Sequence, residues 1–132
     1  MTSSVYLSKM ITIGKQVALE CPSPKTRFAV VFEDDEDTGY FYGLNLSNEE
    51  QPILDALHIY NVQNVADKDI PSKVEIVWSD DGLKACLVIN RYPHAVFDFE
   101  SRKAFCRNNF PPPDLRFTDS HEWNDKALEM FK

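Results

Sequence analysis

Five consecutive carboxylates, Glu33, Asp34, Asp35, Glu36 and Asp37, are the densest chemical feature of this chain. Runs of oxygen ligands bind hard cations when the ligands recur at fixed spacing around a turn. An EF-hand loop needs glycine at its sixth place and glutamate at its twelfth. Counted from Glu33 those places hold Thr38 and Leu44, so the pattern fails. The run therefore reads first as a solvated hairpin tip, then as a docking site for a basic protein, and only third as a cation site. Two tyrosines follow at once, Tyr40 and Tyr42, with Phe41 between them. Neighbouring residues of a strand point to opposite faces. Either both faces of this strand are covered, or one aromatic set is free to anchor a partner.

The other reactive residue types are scattered. Asp80 and Asp81 stand beside Trp78, but paired carboxylates divide acid and base roles only where their surroundings differ, and a turn open to water does not separate them. His58, His94 and His121 show no HxH, HExxH or Cys–His spacing, so no metal site is expected. Cys21, Cys86 and Cys106 are odd in number and lack a CxxC pair, which suits three reduced, buried thiols. No basic cluster stands near them to create a thiolate. Four glycines form no phosphate-cradling loop, and GxSxG is absent. Neither a catalytic constellation nor a cofactor motif emerges.

Strands and turns must position these groups. Residues 5–21 alternate weakly and end at Pro22-Ser23-Pro24. RFAVVFE (27–33) and YFYGLNL (40–46) flank the acidic run as a hairpin. SNEEQPILDALHIYNV (47–62) reads as a helix from about 51 to 61: Ser47 and Glu50 have capping-box spacing, and Ile53, Leu54, Leu57 and Tyr60 share a face. Residues 74–106 alternate through four strands of an antiparallel meander. Within it, SDDG suits a two-residue hairpin loop at Asp81-Gly82. AFCRNNF closes the meander, and FPPPD (110–114) is an extended connector. A second helix is expected over 119–131, capped by Asp119 or Ser120, with Trp123, Ala127, Leu128 and Phe131 as its stripe. The expected fold is α+β: a mainly antiparallel sheet of about six strands with two helices packed on it, as one domain over residues 1–132. Leu54, Leu57, Trp123 and Phe131 should be buried by those helices.

The totals restrict the partners. The chain has 132 residues and a net charge of −7. The acids concentrate in residues 1–100, which hold 16 acids against 8 bases, a net of −8. An acidic body argues against nucleic acid, whose phosphates need a basic face, and suits a basic protein. No apolar run reaches the roughly 18 residues of a membrane span, and the first residues lack the pattern of a secretory leader. A cytoplasmic protein with no membrane association is expected.

The segments VVFEDDEDTGYFYGLNL, ILDALHIYNV and VEIVWSDDGLKACLVINRYPHAVFDFE, with CRNNFPPP behind them, resemble a family of small uncharacterised bacterial proteins, a domain of unknown function. The likeness covers residues 28–113. It implies a bacterial, cytoplasmic, stand-alone protein and carries over no catalytic residue.

Three functions follow as expectations. The first is a non-catalytic protein-binding module, of the immunity type that neutralises a basic bacterial toxin, with Glu33, Asp34, Asp35, Glu36, Asp37, Tyr40 and Tyr42 on its contact surface. The second is a small enzyme or ligand binder with a pocket between sheet and helices lined by Trp78, His94, Asp98 and Cys106. The third is a structural subunit that assembles with itself, for instance as a homodimer.

Overall fold

In a computed structural model, residues 2–108 and 111–132 are described, and about half of them lie in strands. Nine strands follow one another: β1 (Ser3–Ile11), β2 (Val17–Pro22), β3 (Phe28–Asp34), β4 (Thr38–Asn45), β5 (Ile53–Asn61), β6 (Ser72–Ser79), β7 (Lys84–Ile89), β8 (Tyr92–Asp98) and β9 (Lys103–Cys106). They make two antiparallel sheets, one ordered β1-β6-β7-β8-β9 and the other β2-β3-β4-β5. The helical content of the described residues is two 3-10 segments, Val62–Asn64 and Asp125–Phe131. No helix among these residues is long and apolar enough to cross a membrane.

The α+β expectation is thus corrected to a two-sheet β architecture of nine strands. The predicted meander is present as β6 to β9, and the acidic hairpin as β3 and β4. The predicted helix at 51–61 is instead β5, paired with β4 so that Phe41 faces Leu57 and Tyr42 faces Ala56. Ser47 and Glu50 cap nothing in it: the preceding loop is folded by Asn45 and Asn48, whose side-chain oxygens accept from the backbone N–H of Ser47 and Gln51. The predicted helix at 119–131 shrinks to the 3-10 segment Asp125–Phe131, whose N-cap is Asn124, accepting from the N–H of Lys126 at 2.9 Å. Of the residues meant to be buried by helices, Leu57 is fully buried, while Leu54, Trp123 and Phe131 are half-buried. Asn109 and Phe110, predicted to end the last strand and begin the connector, lie outside the described residues.

The alternation of each strand decides the packing. One face of each sheet turns inward, and Phe32, Phe41 and Leu57 of the four-stranded sheet meet Ile76, Trp78, Leu87 and Phe97 of the other in a common core. The five-stranded sheet is covered over β6 to β9 on its outer face as well. There Val77, Cys86, Val88, Val96 and Phe105 pack under Trp123, Ala127, Leu128 and Phe131. The predicted apolar stripe therefore does seal a sheet, although it is wound as 3-10 helix.

The turns bear on both. A two-residue hairpin loop does occur, but at Asn90-Arg91 between β7 and β8, where both residues have positive φ (51° and 68°). That is the backbone of a type I′ turn. The Asp81-Gly82 connection is longer, with Ser79 ending β6 and Lys84 opening β7. Gly82 has the expected positive φ of 71°. Its carbonyl accepts from Ser23 Oγ at 2.7 Å and Thr26 Oγ1 at 3.1 Å, which ties this turn to the β2–β3 connection on the opposite sheet. A Cβ on Gly82 would stand 2.5 Å from Ser23 Oγ. Gly82→Val should therefore destabilise the fold by about 2–3 kcal/mol, combining backbone strain with a displaced hydroxyl. A denaturant midpoint within about 0.5 kcal/mol of wild type would refute this account of the turn.

Candidate functional site

The two sheets differ in what covers them. The chain's own C-terminal segment roofs β6 to β9 of the five-stranded sheet. The outer face of the four-stranded sheet keeps partly exposed aromatic and aliphatic side chains. On β4, Tyr40 and Tyr42 point outward and stack, with ring centroids 5.8 Å apart and planes at 15°. The edge of the Tyr40 ring meets His58 on β5. On β3, Val31 and Glu33 share that face, since Val31 pairs with Tyr42 and Glu33 with Tyr40. Tyr42 Oη donates to Glu33 Oε1 at 3.3 Å. Burial, and then the Glu33 charge, push the Tyr42 phenol up to about 12, so it stays a donor at neutral pH.

Beside Tyr42 lies a hollow of about 290 Å³ lined by Val31, Glu33, Tyr42, Leu44 and Ile53. Ile53 is 51% exposed. Parity along β3 and β4 is enough to put Val31 and Leu44 with the tyrosines. Ile53 was hidden by the helical reading of its segment.

The acidic run divides in two. Asp35, Glu36 and Asp37 form the exposed hairpin tip. Asp35 Oδ1 accepts from the N–H groups of Asp37 and Thr38 at 3.0 and 2.8 Å. These backbone bonds, that of Thr38 foremost, hold its carboxyl below the usual range. Asp34 does not belong to the surface. It points into the core and is wholly buried. Its Oδ2 accepts from Gly14 N–H at 2.8 Å and Tyr60 Oη at 2.7 Å, and its Oδ1 from Glu36 N–H at 2.8 Å. Glu33, Asp35, Glu36, Asp37, Tyr40 and Tyr42 therefore occupy one end and one face of the hairpin, and Asp34 leaves the set.

The pocket residues of the enzymatic reading do not converge. Trp78 and Cys106 face the core between the sheets. Asp98 is buried at the end of β8, where its Oδ1 accepts from the N–H groups of Glu100 and Ser101. Burial pushes the Cys106 thiol up to about 11 and the Cys86 thiol up to about 12, the opposite of an activated nucleophile. All three cysteines are free and buried. Among the described residues no group of three or more His, Cys, Asp or Glu is arranged to hold a metal ion.

His94 packs edge-on against Tyr92. Burial, and then the charge of Arg107, lower its pKa to about 4 from an ordinary 6.5. A lowered histidine binds its proton less readily in the fold than in the unfolded chain. Its contribution is thus complete above about pH 6.5 and is lost as the pH falls toward 4. The stability difference between wild type and His94→Gln should narrow over that interval. Parallel stability–pH curves would refute this.

One buried pair was not visible in the sequence. Asp55 on β5 and His121 of the C-terminal arm meet at 2.6 Å, Oδ2 to Nε2, with both residues buried. A carboxylate holding an imidazole makes two of the three members of a catalytic triad, but there the second ring nitrogen faces a nucleophile. Here Nδ1 faces the Pro111 carbonyl at 2.9 Å. No nitrogen is left to act as a base. The pair is a structural clamp, set near the bond from the Cys106 N–H of β9 to the His121 carbonyl.

The profile of a family described as "Uncharacterized protein conserved in bacteria" (DUF2251) matches residues 11–132. An "Uncharacterized protein" of Haemophilus influenzae is 50% identical over 88 residues, which cover 67% of this chain and 55% of the relative. The chain thus spans about half the length of that curated relative. No solved structure matches. Matched over nearly all of its described length, the chain belongs to the DUF2251 family of proteins conserved in bacteria.

Proposed function

We propose that this protein is a non-catalytic binding module that occludes a basic protein, in the manner of an immunity protein neutralising a basic toxin, and that it works in the bacterial cytoplasm. The observation that carries this reading is the unequal cover of the two sheets. One outer face is covered over β6 to β9 by the chain itself, leaving Val5 and Met10 of its edge strand β1 exposed; the other keeps stacked tyrosines and an aliphatic hollow beside an exposed acidic tip. Apolar and aromatic groups supply the desolvated anchor of an interface. Carboxylates around them steer a cationic partner and raise its association rate more than its final affinity. The net charge of −7 acts in the same direction.

The test is association kinetics with a partner captured from the native bacterium. The triple variant Asp35→Asn, Glu36→Gln, Asp37→Asn alters only exposed tip residues. It should slow association about threefold to tenfold at low salt and flatten the salt dependence, because the field of the tip reaches roughly one Debye length, about 8 Å at physiological ionic strength. Unchanged association at both low and high salt would remove the tip from the interface.

A further inference from the structure

We propose that the hollow lined by Val31, Glu33, Tyr42, Leu44 and Ile53 seats a single arginine side chain of the basic partner; this rests on the binding reading given above. Three features of the hollow select that side chain. Its aliphatic walls, Val31, Leu44 and Ile53, match a long methylene stem. Its charged lining residue is Glu33, whose Oε1 accepts from Tyr42 Oη while Oε2 remains to take a guanidinium N–H. The Tyr42 ring, stacked on Tyr40, offers a π surface beside that carboxylate.

Alternative occupants fail on one count each. A purely aliphatic side chain would desolvate Glu33 without pairing it, which is costly. A carboxylate would be repelled by Glu33 and by the tip. A lysine matches the charge, but its ammonium is strongly hydrated and cannot form a planar contact with the ring. A guanidinium satisfies the carboxylate and the ring together. A hollow of about 290 Å³ has room for one extended side chain. The molecule already uses the same chemistry elsewhere: the Arg107 guanidinium lies 4.3 Å from the centroid of Tyr92 and 4.0 Å from that of Trp123.

The test uses the full chain, labelled with nitrogen-15, and three small probes: arginine, citrulline and lysine, each blocked as the N-acetyl N-methylamide. Blocked arginine should give saturable shifts confined to the amides around Val31, Tyr42, Leu44 and Ile53, with Kd on the order of 1–10 mM. Blocked citrulline has the same shape without the charge and should bind at least about fivefold more weakly, as should blocked lysine, since each lacks part of the charged planar fork. Glu33→Gln should abolish the arginine shifts while its remaining amide spectrum stays that of the folded protein. The proposal is overturned if arginine gives no saturable local shift, if citrulline or lysine binds equally well, or if Glu33→Gln binds as wild type does. The kinetics of the tip variant are read separately. Slowed association of that variant together with a silent hollow would leave the binding reading standing and remove only the arginine seat.

Discussion

His121→Leu should cost about 3–5 kcal/mol of unfolding free energy, because it removes one partner of a buried carboxyl–imidazole pair and leaves the other without its mate. The geometry explains why. Both ring nitrogens of His121 face acceptors: Nδ1 the carbonyl of Pro111, and Nε2 the carboxylate of Asp55. A carbonyl accepts only, so Nδ1 carries a proton. The second contact then needs a proton too, on either Nε2 or the carboxyl. Leucine supplies neither, and Asp55 is left beside an apolar side chain with only the backbone N–H groups of Ala56 and Asp114 on its Oδ1. The double variant Asp55→Leu, His121→Leu should recover much of the loss, because replacing both members of a buried pair by apolar groups is often close to neutral. Chemical denaturation of the two singles and the double closes this cycle. A loss below about 1 kcal/mol for His121→Leu would show that the pair contributes little to the fold. Amide exchange locates the damage: Cys106 N–H, bonded to the His121 carbonyl, should exchange faster while the strands of the common core keep their protection.

The same pair shows where sequence reasoning reaches its limit. Residues 74–106 were legible as strands because inward residues such as Val74, Ile76 and Trp78 alternate cleanly with outward ones. Residues 53–61 were not, because the inward positions of β5 include Asp55. A carboxylate at a core position breaks the period of two, while Ile53, Leu54, Leu57 and Tyr60 happen to satisfy the period of a helix. The residue that makes Asp55 tolerable lies 66 positions away, and no local pattern announces it. At the C-terminus the stripe Trp123, Ala127, Leu128 and Phe131 correctly indicated a face to be buried, but the winding is set by the sheet beneath it. The candidate site was half legible. Parity along β4 separated Tyr40 and Tyr42 from Phe41, and the pairing of β3 with β4 adds Glu33 to their face. The same parity puts Asp34 on the opposite face with Phe32, a consequence masked by reading five carboxylates as one solvated block.

Asp34→Asn should destabilise the protein by about 2–4 kcal/mol, although it changes only one atom and sits in an acidic run whose next three members are exposed. Three donors converge on the Asp34 carboxylate: the N–H groups of Gly14 and Glu36 and the hydroxyl of Tyr60. An ionised carboxylate accepts from all of them. An amide offers a single oxygen, so its NH₂ must face at least one buried donor, and hydrogen bonds to charged groups are the stronger ones. The backbone has been shaped around this cluster. Gly39 pairs with Tyr60 in the sheet, and a Cβ there would stand 2.5 Å from the Tyr60 ring. With no side chain at 39, the ring lies over the glycine and brings its hydroxyl to Asp34. Burial, and then the bond to Asp34, push the Tyr60 phenol far above its usual 10.0. A raised group contributes its full stabilisation below its unfolded pKa and loses it as the pH rises, so the Tyr60 contribution is lost only above about pH 10. Tyr60→Phe removes one donor and should cost less than Asp34→Asn, about 1–2 kcal/mol. If Asp34→Asn unfolds within about 0.5 kcal/mol of wild type, the inward carboxylate is not what holds the hairpin. The expected loss also dictates how the binding face must be probed: charge can be removed at Asp35, Glu36 and Asp37, whereas a variant that includes Asp34 would confuse a weakened fold with a weakened encounter.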